Sequence, residues 1–459
     1  VKALKWISIS LAGLIALILI FYAEEDWRGK RAWENCKREL EAKGEILDWN
    51  KFIPPPVPDD QNFFAASKMQ EWFVEDWHSN TNELADCLQS ANKDLTQSAG
   101  AATNLIVTAE DAKKYLAWSD QFKPNFDLIR EALKLPYARM DGDYRDPLII
   151  PIPNFVTVRT FTQVLSQRIH CYLLLGQSEK ALNELTLLNN SRRMLEAAPT
   201  GQPTTLVAAM VNVAVVGLYA NTIAEDFEKS HWNQSQLATL QNQLEQINLI
   251  SVFNKSQKSE AADLNHVLAN LFRKYPNDPS LWWDLRHLKF PWINWMPRGW
   301  IYQNMVTAAK LKYKQSENFD LESETIFPKN VTSQKRQDDQ LAKSPSPYSF
   351  LVGMIGFVHI DKALQTLTYN QTLVNEAQIA CALERYKLAN GNYPETLDAL
   401  APQFIEKIPH DIIGGEPLHY HRADDGKFIL YSVGWNEKDD GGTPGTLQNV
   451  NQGDWVWKN

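Results

Sequence analysis

The sequence predicts a mainly α-helical protein: an N-terminal transmembrane helix, a large α-helical body and a small C-terminal α+β head. Three observations predict it. An uncharged apolar run opens the chain. Apolar residues then recur at three- and four-residue spacing, and short apolar runs with glycine-bearing turns close the chain. The 459 residues suit about two or three folded units, and a hydrophobic share of 44% can fill their cores. A formal net charge of −9 leaves no basic surplus to neutralise phosphates, so nucleic acid is not an expected partner.

Residues 1–25 read as a transmembrane signal anchor. From Trp6 to Ala23 the chain carries no charge (WISISLAGLIALILIFYA). At about 1.5 Å per residue, residues 6–23 nearly cross a hydrocarbon layer of about 30 Å, with Trp6 and Tyr22 at its two interfaces. A cleaved signal would want small residues at two positions, and Phe21 with Ala23 supplies one, which favours an uncleaved anchor. Lys2 and Lys5 precede the run. Arg28, Lys30, Arg31, Lys37 and Arg38 follow it and by count alone would hold the C-terminal side inside. Long domains translocate largely regardless of charge, and Glu24, Glu25 and Asp26 lie nearest the bilayer. The expected location is therefore the bacterial inner membrane, single-pass, with the body outside the cytoplasm.

Residues 26–60 follow as a polar juxtamembrane helix and a proline-rich spacer at Ile53-Pro54-Pro55-Pro56-Val57-Pro58, where proline disfavours helix. Residues 61–316 form the expected α-helical domain. Phe161, Val164, Leu165, Ile169 and Tyr172 share one helix face; Gly176 ends that helix and Ser178 caps the next, striped by Ala181, Leu182, Leu185 and Leu188. This turn, LLLGQSEKALNEL, resembles that of a tetratricopeptide-type helix pair, although no second copy follows at a fixed period. Asn233 or Ser235 caps a later helix carrying Leu237, Leu240, Leu244 and Ile247. Residues 317–347 turn polar and proline-punctuated and read as a linker. Residues 348–459 form the head. Its helix runs to about Asn390, stopped by Gly391, and buries Ala363, Leu364, Leu367, Val374, Ala377, Ala380 and Cys381. Strands follow from Leu418 to His421 and from Phe428 to Ser432, with a closing strand between Asp454 and Trp457.

Three pieces of this head occur in a telling order: ALERYKLANGNYPETLDAL from Ala382, IPHDIIGGEPLHYH from Ile408 and FILYSVGWNEKDDGG from Phe428. Together they resemble the head of the type II secretion system major pseudopilin, the general secretion pathway protein G family, over about a fifth of the chain. The resemblance implies a long helix on a short antiparallel sheet and a role beside a secretion or pilus-like machine. The N-terminus lacks the prepilin pattern, and some three hundred residues separate anchor from head, so the head reads as borrowed and the chain not as a fibre subunit.

The resemblance also implies calcium in the loop after the second strand. Asn436, Asp439 and Asp440, with Asp454 standing in for a distal aspartate, offer the oxygens a hard cation takes. Asn436 replaces an aspartate of the family pattern and Glu437 a glycine, which keeps a metal-free polar turn as the second reading. His419 and His421 flank Tyr420 on one strand face without a complete ligand set. Two readings stand for the cysteines: a Cys36–Cys87 disulfide if the body is extracytoplasmic, or four free, mostly buried thiols.

No catalytic signature occurs: there is no HExxH, GxSxG, Walker loop or helix-opening GxGxxG. Trp282, Trp283, Trp292 and Trp295 crowd a basic segment that reads either as a binding platform for sugars or membrane, or as helical core. The expected function is a non-enzymatic, envelope-anchored scaffold or binding protein with protein partners. The alternative is an enzyme that binds or hydrolyses envelope glycans through the tryptophans.

Overall fold

The structure is a computed structural model. It describes residues 2–75, 82–88, 108–196, 205–227, 232–270, 296–344, 346–355, 360–423, 426–446 and 449–457. In chain order the helices are α1 (Lys2–Ala42), α2 (Met69–Phe73), α3 (Ala109–Ser119), α4 (Lys123–Ala132), α5 (Phe155–Leu174), α6 (Ser178–Ser191), α7 (Leu206–Asp226), α8 (Gln234–Glu245), α9 (Leu249–Asn270), α10 (Arg298–Gln315), α11 (Pro328–Ala342), α12 (Phe350–Ile355) and α13 (Ile360–Asn390). The strands are β1 (Phe319–Asp320), β2 (Thr325–Ile326), β3 (His419–Arg422), β4 (Phe428–Ser432) and β5 (Trp455–Val456). The mainly helical expectation holds, with two small antiparallel sheets, β1-β2 and β3-β4-β5. The chain divides into two compact units.

The first unit comprises Val1–Phe52, Gln257–Asn318 and Lys329–Ile360. Its α1 has 41 residues, about 60 Å of helix. The N-terminal half is apolar and exposed on every side, long and apolar enough to cross a membrane. The C-terminal half differs from expectation. Trp33, Cys36 and Leu40 recur at three- and four-residue spacing and enter a core with Leu47, Met305, Ala308, Ala309 and Leu351. The polar juxtamembrane helix expected after the anchor is present to Ala42, but it and the residues up to 52 belong to this unit and are not a free-standing stalk. Many charges flank that narrow stripe, which is why composition alone reads the segment as solvated.

The second unit comprises Ile53–Ser256, Phe319–Pro328 and Asp361–Asn459. Asn154 caps α5, its Oδ1 accepting the Thr157 N–H at 2.9 Å. Gly176, at φ +68°, ends the α5 turn; Gln177 holds the N-cap position of α6 and Ser178 is its first residue. Asn233 and Gln236 form a reciprocal capping box on α8. α7 also passes the length and hydropathy test for a membrane span, but 72% of that window is buried and it serves as a core helix.

One charged knot ties α3, α5 and α6 together. Arg168 is fully buried; its Nε donates to Glu184 Oε1 at 3.0 Å and its Nη2 to the Tyr172 hydroxyl at 2.9 Å. Its Nη1 donates to Ser119 Oγ at 2.6 Å and to Asp120 Oδ1 at 2.9 Å. Such a charge is tolerated inside because opposite charge and hydrogen bonds replace the water it loses.

The head expected at 348–459 is not set apart from the helical body expected at 61–316. Every residue of α13 from 371 to 383 is buried, not just one stripe. Its side chains reach the helical elements: Gln371 Oε1 accepts from the Leu249 N–H at 2.8 Å, and Arg385 Nη1 donates to Gln241 Oε1 at 2.8 Å. A helix buried all round needs partners on all faces, so body and sheet share one core. Residues 317–347, expected as a linker, hold β1, β2 and α11. Phe319 pairs with Ile326, and Pro328 starts α11, where its missing N–H has no helical partner to lose. Cys36 and Cys87 form no disulfide. Burial pushes the Cys381 thiol up to about 12, so it stays protonated.

Candidate functional site

The joint between the apolar half of α1 and the rest of the first unit is built from two carboxylates and two glycines. Asp26 Oδ1 accepts the Gly299 N–H at 2.7 Å, capping α10 from a residue 273 positions away. Glu25, almost wholly buried, accepts from Trp300 Nε1 at 3.0 Å and from the Tyr348 hydroxyl at 3.3 Å, and it pairs with Arg28. Backbones approach too closely for any side chain at the crossing. A Cβ on Gly29 would overlap the Gly299 carbonyl, and one on Gly299 would overlap that of Glu25. The apolar half of α1 is thereby held by several directional contacts. Sequence reading missed the joint, although the acidic triplet and a Pro-Arg-Gly helix start were visible signals.

A groove of about 340 Å³ lies in the second unit between α5 and α7, closed by Asn370 of α13. Val158, Val211 and Val215 give it an apolar lining. Phe155, 43% exposed, stands at its edge, and Val207, 48% exposed, continues the α7 stripe one turn before Val211. Arg159, Thr162, Gln163 and Asn221 join Asn370 as its polar members. Arg159 has no ion-pair partner among the described residues. Asn370 reaches across to the Val213 carbonyl at 3.2 Å, and a Cβ on Gly217 would meet that side chain at 2.6 Å. Volume and lining fall within the range of ligand and side-chain pockets.

The acidic loop at the C-terminus is held by its own donors. Asp454, fully buried, accepts from the N–H groups of Asp440 at 3.1 Å and Gly442 at 2.7 Å. Asp440 accepts from Asn436 Nδ2, Gly453 N–H and Lys438 Nζ at 2.9–3.1 Å. The Lys438 ammonium and the Asn436 amide hold the Asp440 carboxyl below its usual range. Asp439 turns to the Tyr431 hydroxyl at 3.1 Å and the Gly441 N–H at 2.9 Å, and the latter bond lowers its pKa most. Among the described residues no three His, Cys, Asp or Glu side chains converge to hold a metal ion. Asn436, Asp440 and Asp454 come together, but a calcium ion there would compete with an ammonium and several amides. The donor set fits a self-satisfied turn. His419 stacks on Tyr431 with centroids 4.8 Å apart, 3.7 Å from Asp439.

Trp282, Trp283, Trp292 and Trp295 lie outside the described residues, as does the enzymatic reading that rests on them. No protein family, curated protein or solved structure matches the chain.

Proposed function

We propose that the protein is a single-pass, membrane-anchored, non-enzymatic scaffold of the bacterial envelope, with its body outside the cytoplasm. The observation that carries this reading is α1: one continuous helix, apolar and exposed in its first half and built into a folded core in its second. An apolar helix exposed over almost its whole length needs lipid or another apolar surface to cover it. The α5–α7 groove is the face on which a partner protein docks, presenting apolar side chains to Val211 and Val215 and a carboxylate to Arg159. The segment from Ile360 onward serves as a pseudopilin-like module that brings the scaffold to a secretion or pilus-like machine. The motif order from Ala382 to Gly442 supports that role.

Two measurements test the reading. Carbonate-washed membranes should retain the full chain and release a chain lacking residues 1–23; release of both removes the anchor. A photocrosslinker at Ala214, an exposed groove residue, should capture a protein in intact cells, and Arg159→Glu should abolish that capture. Capture that ignores Arg159→Glu removes the groove from the proposal.

A further inference from the structure

Two acidic side chains in the second unit are buried at the end of one strand, and the charge of one acts on the other. Glu376, on α13, and Asp411, in the loop before β3, are each 2% exposed. Consecutive residues at the end of β4 hold them. The Ser432 N–H bonds to Glu376, while the Val433 N–H donates to Asp411 Oδ2 at 3.1 Å. Asp411 has further donors: the Ile413 N–H at 2.9 Å on Oδ1 and the Ser432 hydroxyl. Glu376 lacks an equal set. Among the described residues its Oε1 has no hydrogen-bond partner, nor has the Thr372 hydroxyl one turn earlier on the same helix face.

We infer that Glu376 and Asp411 are a one-proton latch: a proton held on Glu376 keeps α13 seated on the β3-β4-β5 sheet, and its loss loosens that seam. Two ionised carboxylates so placed would repel each other in a medium that screens poorly, so the pair titrates as a unit. Asp411, with three donors, is the member that ionises. Glu376, with one donor and an orphaned oxygen, is the member that keeps the proton. Burial, then the Asp411 charge, pushes the Glu376 carboxyl well above the usual glutamate range, against the weaker pull of the Ser432 amide. Burial likewise raises Asp411, against its hydrogen bonds and the nearby His419 on β3. The other titratable groups at the seam are Tyr369, on α13 itself, and His410, whose carbonyl accepts from Asn375 at 3.1 Å. Among the described residues, no lysine or arginine is among the charges that act on the Glu376 carboxyl.

The sign follows from proton counting. Below the ordinary glutamate pKa both folded and unfolded chains carry the proton, and the latch is fully closed. Between that value and the raised folded value the folded chain holds one proton more. Stability therefore falls as pH rises, at most about tenfold in the folding equilibrium per pH unit. This inference does not rest on the anchor or on the scaffold reading.

The test uses the full chain in nanodiscs. At about pH 6, where an ordinary glutamate is ionised, the infrared spectrum should show a protonated carboxyl stretch that Glu376→Gln removes. Absence of that band in the wild type overturns the latch, and this measurement needs no variant to fold. Thermal melts from about pH 5 to about pH 9 should show wild-type stability falling with pH and a shallower profile in Glu376→Gln, because an amide cannot ionise. Parallel profiles overturn it. A wild-type melt that drops on adding EDTA, while Glu376→Gln is unmoved, places a cation between the carboxyls and also overturns it.

Discussion

The Arg168 knot and the Glu376–Asp411 pair are both charged sites inside the second unit, and they are built in opposite ways. Arg168 meets two carboxylates, two hydroxyls and the faces of Phe126 and Tyr172. Glu376 meets a like charge, one amide and an orphaned oxygen. Burial is almost the same, so burial does not distinguish them. The sign and number of partners do. A buried charge with its complement is a rivet, whereas a buried charge facing its like is a group that must take up a proton.

The largest effect should come from breaking the rivet. Arg168→Met keeps much of the volume but leaves Glu184 buried without its guanidinium, which should lower stability by about 3–5 kcal/mol in chemical unfolding of the full chain. A loss below about 1 kcal/mol would mean that Arg130, 3.4 Å from the other Glu184 oxygen, takes over the charge.

Asp454 sharpens the contrast, because it is a fully buried carboxylate satisfied by amides instead of a cation. Asp454→Ala strips the acceptor from two loop N–H groups and should destabilise by about 1–3 kcal/mol. Calcium titration of the same melts decides the competing reading of that loop. A rise in melting temperature with calcium in the wild type, lost in Asp454→Ala, would show that the ion displaces the amides.

The two sites should also fail at opposite ends of the pH scale. Burial opposes ionisation of Asp120, but Lys123 and Arg168 outweigh it and hold its carboxyl below the usual value. A lowered folded pKa gives stability that is present above the ordinary aspartate range and lost as pH falls through the folded value. Asp120→Asn should therefore flatten the acid limb of the melting profile and leave the alkaline limb, where Glu376 acts, unchanged. A change on the alkaline limb would show that the two sites are coupled. The smallest effect belongs to the exposed Lys134–Glu131 pair on the rim of the same unit. Lys134→Ala should change stability by less than about 0.5 kcal/mol, because water already screens the pair.

Local features were legible where a short stretch carries its own physics. The apolar opening run, the glycine stops at Gly176 and Gly391, the Asn233 cap and the β3–β4 pairing all appear where periodicity and turn chemistry put them. Single residues such as these fix backbone geometry regardless of what lies elsewhere in the chain. The short hairpin at 319–326 and α11 were hidden because their apolar positions are few and their composition is that of a loop.

What the sequence by itself determined is therefore the class: a helical chain with an exposed apolar N-terminal helix and small antiparallel sheets. What only the tertiary structure decided is which charges meet. Asp26 caps a helix 273 residues away, Arg168 finds Asp120 just past the end of α3 and Glu184 on α6, and Glu376 finds Asp411 35 positions on. Helical period and turn chemistry say which face of an element turns inward, not which partner waits there. That pairing is set by long-range packing, and it separates a rivet from a proton latch.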